Sequence, residues 1–289
     1  MNRRTFLQTT GIGSLTALAA QAAPQAKSIG LQLYTLRDDI GKQGIEKILA
    51  QVAQLGYKKV ESFGYNGGKF FGKTPTEFRK LLIDNGLTAP SGHYLTGRSK
   101  AAKGDGLTNN WQRIVDDAAA TGQEYVVIAY LMDDERKPDD YSQLYDQLNK
   151  GGEITRKAGL TLAYHNHDFE FTQKIANEKP YDLILKNTDP KLVKMEMDLY
   201  WITRAGESAA DYFKRYPGRF PLWHVKDIAN TPQHEFAEVG TGTMDFAALF
   251  KDAKKAGLKH YFVEQDVCKR PPLESIKISI DNIKAAKWG

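Results

Sequence analysis

The sequence predicts an α/β protein in which eight parallel strands close into a (β/α)8 barrel, the TIM barrel architecture. From Lys27 onward, β-rich apolar runs alternate eight times with amphipathic helical segments, and no change in composition marks a second domain. Neither a Gly-x-Gly-x-x-Gly after the first strand nor a Walker-type loop is present, which disfavours an open nucleotide-binding sheet. Eight right-handed crossover units in 289 residues therefore fit a closed barrel.

The strands are predicted in eight segments rich in β-branched and aromatic residues. In chain order these are SIGLQLYTL, YKKVESFGY, LTAPSGHY, QEYVVIAYL, LTLAYHNH, KLVKMEMDLYW, FPLWHVKDI and LKHYFVEQDV.

The helices are predicted from apolar residues at helical spacing and from their end signals. Glycine closes the first, KQGIEKILAQVAQLG, while Thr74 can cap the second, TPTEFRKLLIDNG, with Pro75 in its first turn. The others are NNWQRIVDDAAATG, DYSQLYDQLNKGGEITRKAG, YDLILKN, SAADYFKRY, DFAALFKDAKKAG and PLESIKISIDNIKAAKW.

Residues 1–23 are predicted to be a twin-arginine signal peptide, and residues 27–289 to form the single barrel domain. Arg3 and Arg4 precede a short, mildly apolar segment, and small residues at 20–23 suit a signal peptidase. This pattern predicts a periplasmic protein. No cysteine near the cleavage site offers a lipid anchor, and no other segment approaches transmembrane length, so no membrane anchor is expected.

Composition bounds the possible partners. Apolar residues make up 41% and charged residues 26% of the chain, an ordinary globular balance. The net charge of +5 comes from lysines scattered among acids rather than from a basic stripe, so no nucleic-acid partner is expected. Cys268 is the only cysteine, which excludes an intrachain disulfide. A homo-oligomer remains open.

Functional residues of such a barrel lie at the carboxyl ends of its strands. The first four strand ends are poor in metal-ligand residue types and the last four are rich in them. The candidate substrate contacts are Tyr34, Glu61, His93 and Trp201, with packing as the alternative for the aromatic residues.

Asp198, His224 and Glu264 each close a successive strand, in MEMD, PLWH and YFVE. In a closed barrel these ends converge on the axis, and two carboxylates with one imidazole suit a divalent cation such as Mn²⁺, Co²⁺, Zn²⁺ or Mg²⁺. Each residue alone also has a structural explanation: Asp198 can cap the next segment, and Glu264 can pair with Lys226. The combination favours a metal site.

The fourth ligand is expected from strand five, in the octapeptide YHNHDFEF at 164–171. Both Glu170 and His165 qualify. We prefer Glu170, because a further carboxylate balances a hard divalent ion, and this choice leaves His167 as a nearby base.

The segments MDLYW, HVKD, VGTGTMDF and VEQD, together with YHNHDFEF, resemble the sugar phosphate isomerase/epimerase-like proteins with the xylose isomerase-like barrel. The resemblance covers essentially all of the mature chain. It implies one divalent metal held by a glutamate–aspartate–histidine–glutamate set on strands five to eight. Asp198, His224 and Glu264 match the last three members of that set.

The sequence departs from the family's epimerases at two positions. Those proteins carry a glutamate near the position of Tyr164 or His165, and a histidine where this chain has Trp201. The pattern looks more like a branch, common among exported proteins, that acts on ketosugars or keto-glycosides.

The resemblance implies an enzyme that removes a proton next to the carbonyl of a small carbohydrate. Returning the proton gives isomerisation or epimerisation, and losing a β-substituent gives a 3-keto-glycoside lyase or hydratase. His167 is the expected base, with His165 as its neighbour, Glu264 as a possible second proton carrier and Lys226 as an oxyanion stabiliser.

Two other functions are less consistent with the residues. An abasic-site endonuclease shares the barrel but needs more zinc ligands and a basic groove. A non-catalytic sugar-binding protein would not need the metal. The GTGT segment at 240–243 is a weak candidate for phosphate binding, and a turn is its alternative explanation.

Overall fold

The computed structural model describes residues 28–286 and contains a closed barrel of eight parallel strands, which confirms the predicted fold. Each strand pairs with the next along the chain, and the first pairs with the last. The predicted signal peptide, residues 1–23, lies outside the described residues. The strands are β1 Gly30–Gln32, β2 Lys59–Ser62, β3 Thr88–Tyr94, β4 Tyr125–Ile128, β5 Thr161–His165, β6 Val193–Asp198, β7 Leu222–Val225 and β8 His260–Val263.

Helices follow every strand and surround the barrel. A two-stranded ribbon, Asp227–Ile228 with Phe236–Ala237, follows β7, and 3₁₀ turns lie at Leu33–Leu36 and Asp133–Glu135. The helices are α1 Arg37–Gln43, α2 Ile45–Leu55, α3 Pro75–Asp84, α4 Trp111–Thr121, α5 Pro138–Lys157, α6 Phe169–Thr172, α7 Pro180–Asn187, α8 Leu199–Arg204, α9 Ala209–Arg215, α10 Phe246–Lys251, α11 Ala253–Ala256 and α12 Pro272–Ala286.

The end signals read from the sequence act as predicted. Thr74 caps α3: its hydroxyl accepts from the backbone N–H of Glu77, whose carboxylate accepts from the N–H of Thr74 at 2.8 Å. Pro75 occupies the first turn of α3. Gly56 ends α2 in the left-handed conformation, with φ of 103°.

A small apolar plug fills the interior of the barrel. It consists of four buried side chains from β4, β5, β7 and β8: Val127, Ala163, Leu222 and Phe262. Gly30 makes room for it, because a Cβ there would lie 2.4 Å from the ring of Phe262. A polar layer at the strand ends therefore rests on a packed base rather than on an open pore.

Seven of the eight strands end before their predicted segments do, and side-chain hydrogen bonds explain two of these ends. The side-chain oxygen of Gln32 accepts from the N–H of Tyr34 at 3.1 Å, which turns the chain out of β1. Oδ1 of Asp198 accepts from the N–H groups of Tyr200 (3.0 Å) and Trp201 (2.9 Å), so α8 starts where β6 was expected to continue. Among residues 28–286, no helix combines the length and hydropathy needed to cross a bilayer.

Candidate active site

The register of the last four strands brings the predicted ligands together. Asp198 on β6 pairs with His224 on β7, and His165 on β5 pairs with Glu196 on β6. Glu264 directly follows β8. Because side chains alternate along a strand, Glu196 and Asp198 point to the same interior side at successive depths.

Four buried side chains form what we call the ligand group: His165, Asp198, His224 and Glu264. Oδ2 of Asp198 lies 3.7 Å from Nε2 of His165 and 3.9 Å from Nδ1 of His224. Nδ1 of His224 lies 2.7 Å from Oε2 of Glu264. Ligand atoms about 2.1 Å from one ion are roughly 3.4 Å apart in a tetrahedral site, so these spacings suit a single cation.

One oxygen of the ligand group lacks a hydrogen bond. Oδ2 of Asp198 is fully buried without a hydrogen-bond partner, whereas Oδ1 of the same residue caps α8. Nζ of Lys226 lies 3.0 Å from Oδ2 as an ion pair, without hydrogen-bond alignment. A buried anionic oxygen left in this way is typical of a metal ligand.

Two deeper residues, Glu61 and Glu196, hold the imidazoles of the ligand group; we call them the inner carboxylates. Oε2 of Glu61 lies 2.6 Å from Nε2 of His224, and Oε2 of Glu196 lies 3.0 Å from Nδ1 of His165. Each histidine therefore has one nitrogen fixed by a carboxylate and the other facing the ligand group. Metal-binding histidines are commonly oriented in this way.

The carboxylates give the site a negative field. Burial raises the pKa of Asp198 to about 6. Burial alone would lower the pKa of His224, but the carboxylates of Glu196, Glu264 and Glu61 outweigh it and raise that pKa well above its ordinary value. The same field that favours a proton on His224 favours a metal cation in its place.

The position of Glu61 corrects the expectation that it contacts substrate. It is fully buried and is absent from the lining of the cavity described below. Its carboxylate accepts hydrogen bonds from the side chains of Gln32 (2.6 Å) and Ser91 (2.5 Å) besides its contact with His224. Glu61 lies one layer deeper than the ligand group and orients it.

His93 lies between the inner carboxylates and also lines the cavity. Its Nε2 is 2.7 Å from Oε2 of Glu196 and 3.0 Å from Oε2 of Glu61. Burial opposes its charged form, but the two carboxylates dominate and raise the pKa of His93 to about 9.

A second set of potential ligands, His93, His165, Glu196 and His224, fits a metal less well. One nitrogen of each imidazole already converges on Oε2 of Glu196, at 2.7, 3.0 and 3.3 Å. An ion here would have to displace the oxygen at the centre, so the ligand group is the better candidate.

The preference for Glu170 as the fourth ligand requires correction. Its Oε1 accepts from the hydroxyl of Tyr164 at 2.8 Å, and its Oε2 accepts from the backbone N–H of His167 at 2.8 Å. Strand β5 ends at His165 and the chain then turns into α6, which commits the Glu170 carboxylate to this turn. His165, the alternative, is the residue at the end of β5 that approaches Asp198, with its Nε2 3.7 Å from Oδ2.

His167 stands beside the ligand group in an aromatic setting. Its ring centroid is 4.8 Å from that of Tyr130, 5.4 Å from that of Trp201 and 5.0 Å from that of His165. Its Nδ1 is buried without a hydrogen-bond partner. Burial, and then the charge of Lys226, hold the pKa of His167 well below its ordinary value, so the imidazole is neutral at pH 7.

Lys226 is only 1% exposed, so its ammonium is a buried charge. Its Nζ contacts Oε2 of Glu264 at 2.6 Å and the carboxylate of Asp266 at 2.9 Å, besides Asp198. Burial opposes the ammonium, but these three carboxylates raise the pKa of Lys226 well above its ordinary value.

Hydrogen bonds to Asp227 account for the glycines of the GTGT segment, so phosphate binding is not needed to explain them. Its Oδ2 accepts from the N–H groups of Gly240 (2.9 Å) and Gly242 (3.0 Å). A Cβ at Gly242 would lie 2.3 Å from the carbonyl oxygen of Ile228, so the glycine is needed for close packing. The segment is the structural turn that the sequence offered as the alternative.

A cavity of about 860 Å³ opens above these residues. On one side it is lined by the ends of β5–β8, which we call the ionisable half: His165, His167, Trp201, Lys226, Glu264 and Asp266. On the other side it is lined by the loops after β1–β4, which we call the aromatic half: Tyr34, Phe63, Tyr65, Tyr94, Leu95 and Tyr130. Tyr34, His93 and Trp201, the other candidate substrate contacts, thus line the cavity.

Some residues of the site were not predicted from the sequence. Glu196 was missed, although its position two residues before Asp198 on the same face of β6 was an available signal. Tyr130 and Phe63 carry no motif that sets them apart from packing residues. Trp223 is fully buried and stacks on Phe213 with ring centroids 4.8 Å apart, so it is a packing residue.

Comparisons with known proteins agree with the fold. The family model of the xylose isomerase-like TIM barrel matches residues 49–286. An inosose dehydratase from Geobacillus thermodenitrificans is 26% identical over 155 residues, 47% of this chain and 51% of that protein. The chain thus spans about half the length of this relative.

Solved structures extend the likeness to the whole barrel. A sugar phosphate isomerase/epimerase from Parabacteroides distasonis is 30% identical, with 96% of this chain and 99% of that chain covered and a TM-score of 0.76. An IolI protein with a bound zinc atom is 13% identical, with 91% and 99% covered and a TM-score of 0.68, and shares the fold. The names of the dehydratase and the epimerase support the prediction of an enzyme of the isomerase, epimerase or lyase type.

Proposed function

This chain belongs to the xylose isomerase-like TIM barrel family, and we propose that it is a metal-dependent lyase of ketone-bearing sugars or cyclic polyols. In the proposed reaction a proton leaves the carbon beside the ketone, and an oxygen substituent leaves the next carbon. The observation that carries the proposal is one neutral histidine, His167, beside a buried cluster of three potential metal ligands, Asp198, His224 and Glu264, with His165 next to Asp198.

The residues fit a divalent metal. Asp198, His224 and Glu264 would hold it, since their ligand atoms lie within 4.8 Å of one another and Oδ2 of Asp198 lacks a hydrogen bond. His165 would be the fourth ligand, because its Nε2 lies 3.7 Å from that oxygen. When bound, the metal would polarise the ketone oxygen and so make the neighbouring C–H group more acidic. The zinc-containing IolI structure shares the fold and supports this assignment without fixing the metal.

His167 is the candidate base. Its imidazole lines the cavity, is neutral at pH 7 because burial lowers its pKa, and has one nitrogen free of hydrogen bonds. A neutral imidazole beside a bound carbonyl compound can accept the proton from the adjacent carbon. The other nearby imidazoles, His93 and His224, contact the inner carboxylates and are less available.

Lys226 is the candidate electrostatic partner. Its ammonium lines the cavity and stays protonated because three carboxylates surround it. It can donate a hydrogen bond to the substrate oxygen that gains negative charge when the proton leaves. The electron pair of the broken C–H bond forms the new C=C bond, and the departing oxygen leaves with its bonding pair and takes up a proton as water or an alcohol.

Elimination is favoured over epimerisation by Trp201, whose indole lies beside the base with ring centroids 5.4 Å apart. Epimerisation needs a second proton carrier, and the family's epimerases have a histidine where this chain has Trp201. The indole lines the cavity, and its Nε1–H has no hydrogen-bond partner, so it can donate a hydrogen bond but cannot exchange a proton at pH 7. The name of the dehydratase relative points the same way.

Mass spectrometry in D₂O separates the two outcomes. The metal-loaded protein is incubated with an inosose and, in parallel, with a 3-keto-glucoside. Elimination yields a product lighter by one molecule of water or alcohol, whereas epimerisation yields an isomer carrying one deuterium. A deuterated isomer without any unsaturated product would overturn the lyase assignment.

A further inference from the structure

The cavity is large for the reaction proposed. A single six-membered ring bearing hydroxyl groups is a small ligand, whereas pockets of about 300–1,000 Å³ hold ligands of drug size. At about 860 Å³ this cavity lies near the upper end of that range. A substrate of one ring would leave much of it filled with water.

The spare volume lies over the aromatic half. The candidate base and the ligand group belong to the ends of β5–β8, but most of the lining comes from the loops after β2, β3 and β4. These loops are fixed to each other: the carboxylate of Asp105 accepts from the N–H of Gly67 at 2.9 Å and joins two of them. This part of the cavity is therefore formed before a ligand binds.

Two tyrosine hydroxyl groups of the aromatic half are already engaged within the protein. The hydroxyl of Tyr65 donates to Asp117 at 2.5 Å, and that of Tyr94 donates to Gln123 at 2.9 Å. Asp105 is also paired with Arg113. The two tyrosines thus offer ring surface rather than hydroxyl groups to a ligand.

The aromatic rings are arranged edge to face, which leaves ring surface open to a further ring. Tyr34 meets Phe63 with centroids 5.3 Å apart, and Tyr65 meets Tyr94 at 5.7 Å. Tyr34 is 41% exposed at the mouth of the cavity, although large aromatic side chains are usually covered. Leu95 and Met132 add aliphatic surface nearby.

We propose that the aromatic half binds an aromatic ring joined to the reacting sugar, so that the substrate is an aryl glycoside rather than a free monosaccharide. The identity of the sugar end rests on the function proposed above, but binding of the ring does not. A second sugar ring is the less suitable occupant, because its hydroxyl groups would face the apolar rings of Phe63, Tyr65 and Tyr94, and the hydroxyl groups of these two tyrosines are engaged.

Calorimetry with non-reacting glycosides tests the proposal. Phenyl β-glucoside, methyl β-glucoside and cellobiose carry no ketone, so their binding to the full chain is measured without turnover. Burial of a phenyl ring should make the phenyl glycoside bind at least about tenfold more tightly than the methyl glycoside. Equal affinities, or a larger advantage for cellobiose, would overturn the aromatic assignment.

Substitutions of Phe63 test whether the preference for the phenyl glycoside arises in the aromatic half. Phe63→Ala should reduce the phenyl-to-methyl affinity ratio to within about threefold, and Phe63→Leu, which keeps apolar volume in case the alanine variant folds poorly, should give an intermediate ratio. Ile83→Ala, at a 63% exposed position on α3, serves as the matched control and should leave the ratio unchanged. An unchanged ratio in both Phe63 variants would place the ring elsewhere and contradict the proposal.

A failure of this inference is distinguishable from a failure of the proposed function. The phenyl preference should persist in Asp198→Asn, because the aromatic half does not depend on the ligand group. If that variant keeps the preference while the native chain eliminates nothing from a keto-glucoside, the ring site stands and the lyase assignment falls.

Discussion

The ionisable and aromatic halves of the cavity are built from the same repeated strand–helix unit, yet they differ in how tightly their side chains are fixed. In the ionisable half, each charged group has named partners at short distance: His224 lies 2.6 Å from Glu61 and Lys226 lies 2.6 Å from Glu264. In the aromatic half, the contacts are between rings about 5 Å apart and belong to loops.

The difference reflects the cost of burying charge. An isolated buried ion is strongly disfavoured, so Asp198, Glu264 and Lys226 require a shared network. Aromatic rings have no such requirement and tolerate several arrangements. The charged side chains proposed to react are therefore held rigidly at the strand ends. The rings proposed to bind the rest of the substrate lie on loops, whose sequence can vary without disturbing the barrel.

The largest effect is expected from breaking the ligand group. Asp198→Asn combined with Glu264→Gln removes both carboxylate ligands, and we expect loss of bound metal and at least about a 10³-fold fall in kcat/KM, about 4 kcal/mol of transition-state stabilisation. Metal content by mass spectrometry and turnover of a keto-sugar provide two separate readouts.

The double substitution also removes the ion pairs of Lys226 with Asp198 and Glu264. His165→Gln therefore provides a second test, because it leaves both ion pairs intact. Asp84→Asn, an exposed carboxylate paired with Lys80 on α3, is the control. If the double variant and His165→Gln both retain metal and full activity, the ionisable half is an ion-pair network and not a metal centre.

The next effect is expected at the base. His167→Gln keeps a polar side chain but removes the proton acceptor, so kcat should fall by about 10²- to 10⁴-fold while metal content stays constant. His260→Gln provides the matched control, because His260 begins β8 at the opposite end of the barrel. Normal turnover in the His167 variant would move the base to another residue.

The barrel and three of the four proposed ligands were predictable from the sequence because both depend on local signals. Alternating strand and helix patterns specify the fold, and Asp198, His224 and Glu264 each stand where a β-rich run stops. In a barrel, the end of a strand is also the place where side chains converge, so local position is sufficient.

The remaining site residues depend on information that no single segment carries. Glu61 lies below the ligand group because of the stagger between neighbouring strands, which sets depth along the barrel axis. Glu170 is directed away by its bonds to Tyr164 and His167, a local turn that resembles a ligand position in the sequence alone. The aromatic half depends on contacts between loops, such as that of Asp105 with Gly67.

A third prediction concerns Glu170, whose role in the structure is to stabilise the turn after β5. Burial raises its pKa from 4.5 to about 7, so the folded chain binds a proton that the unfolded chain has already lost. The contribution of Glu170 to the free energy of unfolding should therefore be fully present below pH 4.5 and be lost between about pH 4.5 and 7, a change of about 3 kcal/mol at about 1.36 kcal/mol per pKa unit.

Glu170→Gln removes this titration. Relative to the native chain, the free energy of unfolding of the variant should rise with pH across that window, as measured by urea denaturation at pH 5 and pH 8. Glu178→Gln, an exposed carboxylate beyond α6, is the control and should follow the native profile. Parallel profiles for the native chain and the Glu170 variant would show that this carboxylate does not titrate in the window.

The smallest effect is expected at the inner carboxylates, which link the two halves by supporting the metal ligands from below. Glu61→Gln keeps the volume and one acceptor oxygen for Nε2 of His224 but removes the charge. Such changes behind a ligating histidine typically weaken metal binding by about 10- to 100-fold, and we expect that range in competition with a fluorescent chelator. Glu274→Gln on α12 is the exposed control.

Unchanged metal affinity in Glu61→Gln, with loss of affinity in Glu196→Gln, would mean that Glu196 alone orients the histidines. Because Oε2 of Glu196 contacts three imidazoles whereas Glu61 contacts two, the comparison of these variants tests which carboxylate controls the ligand group.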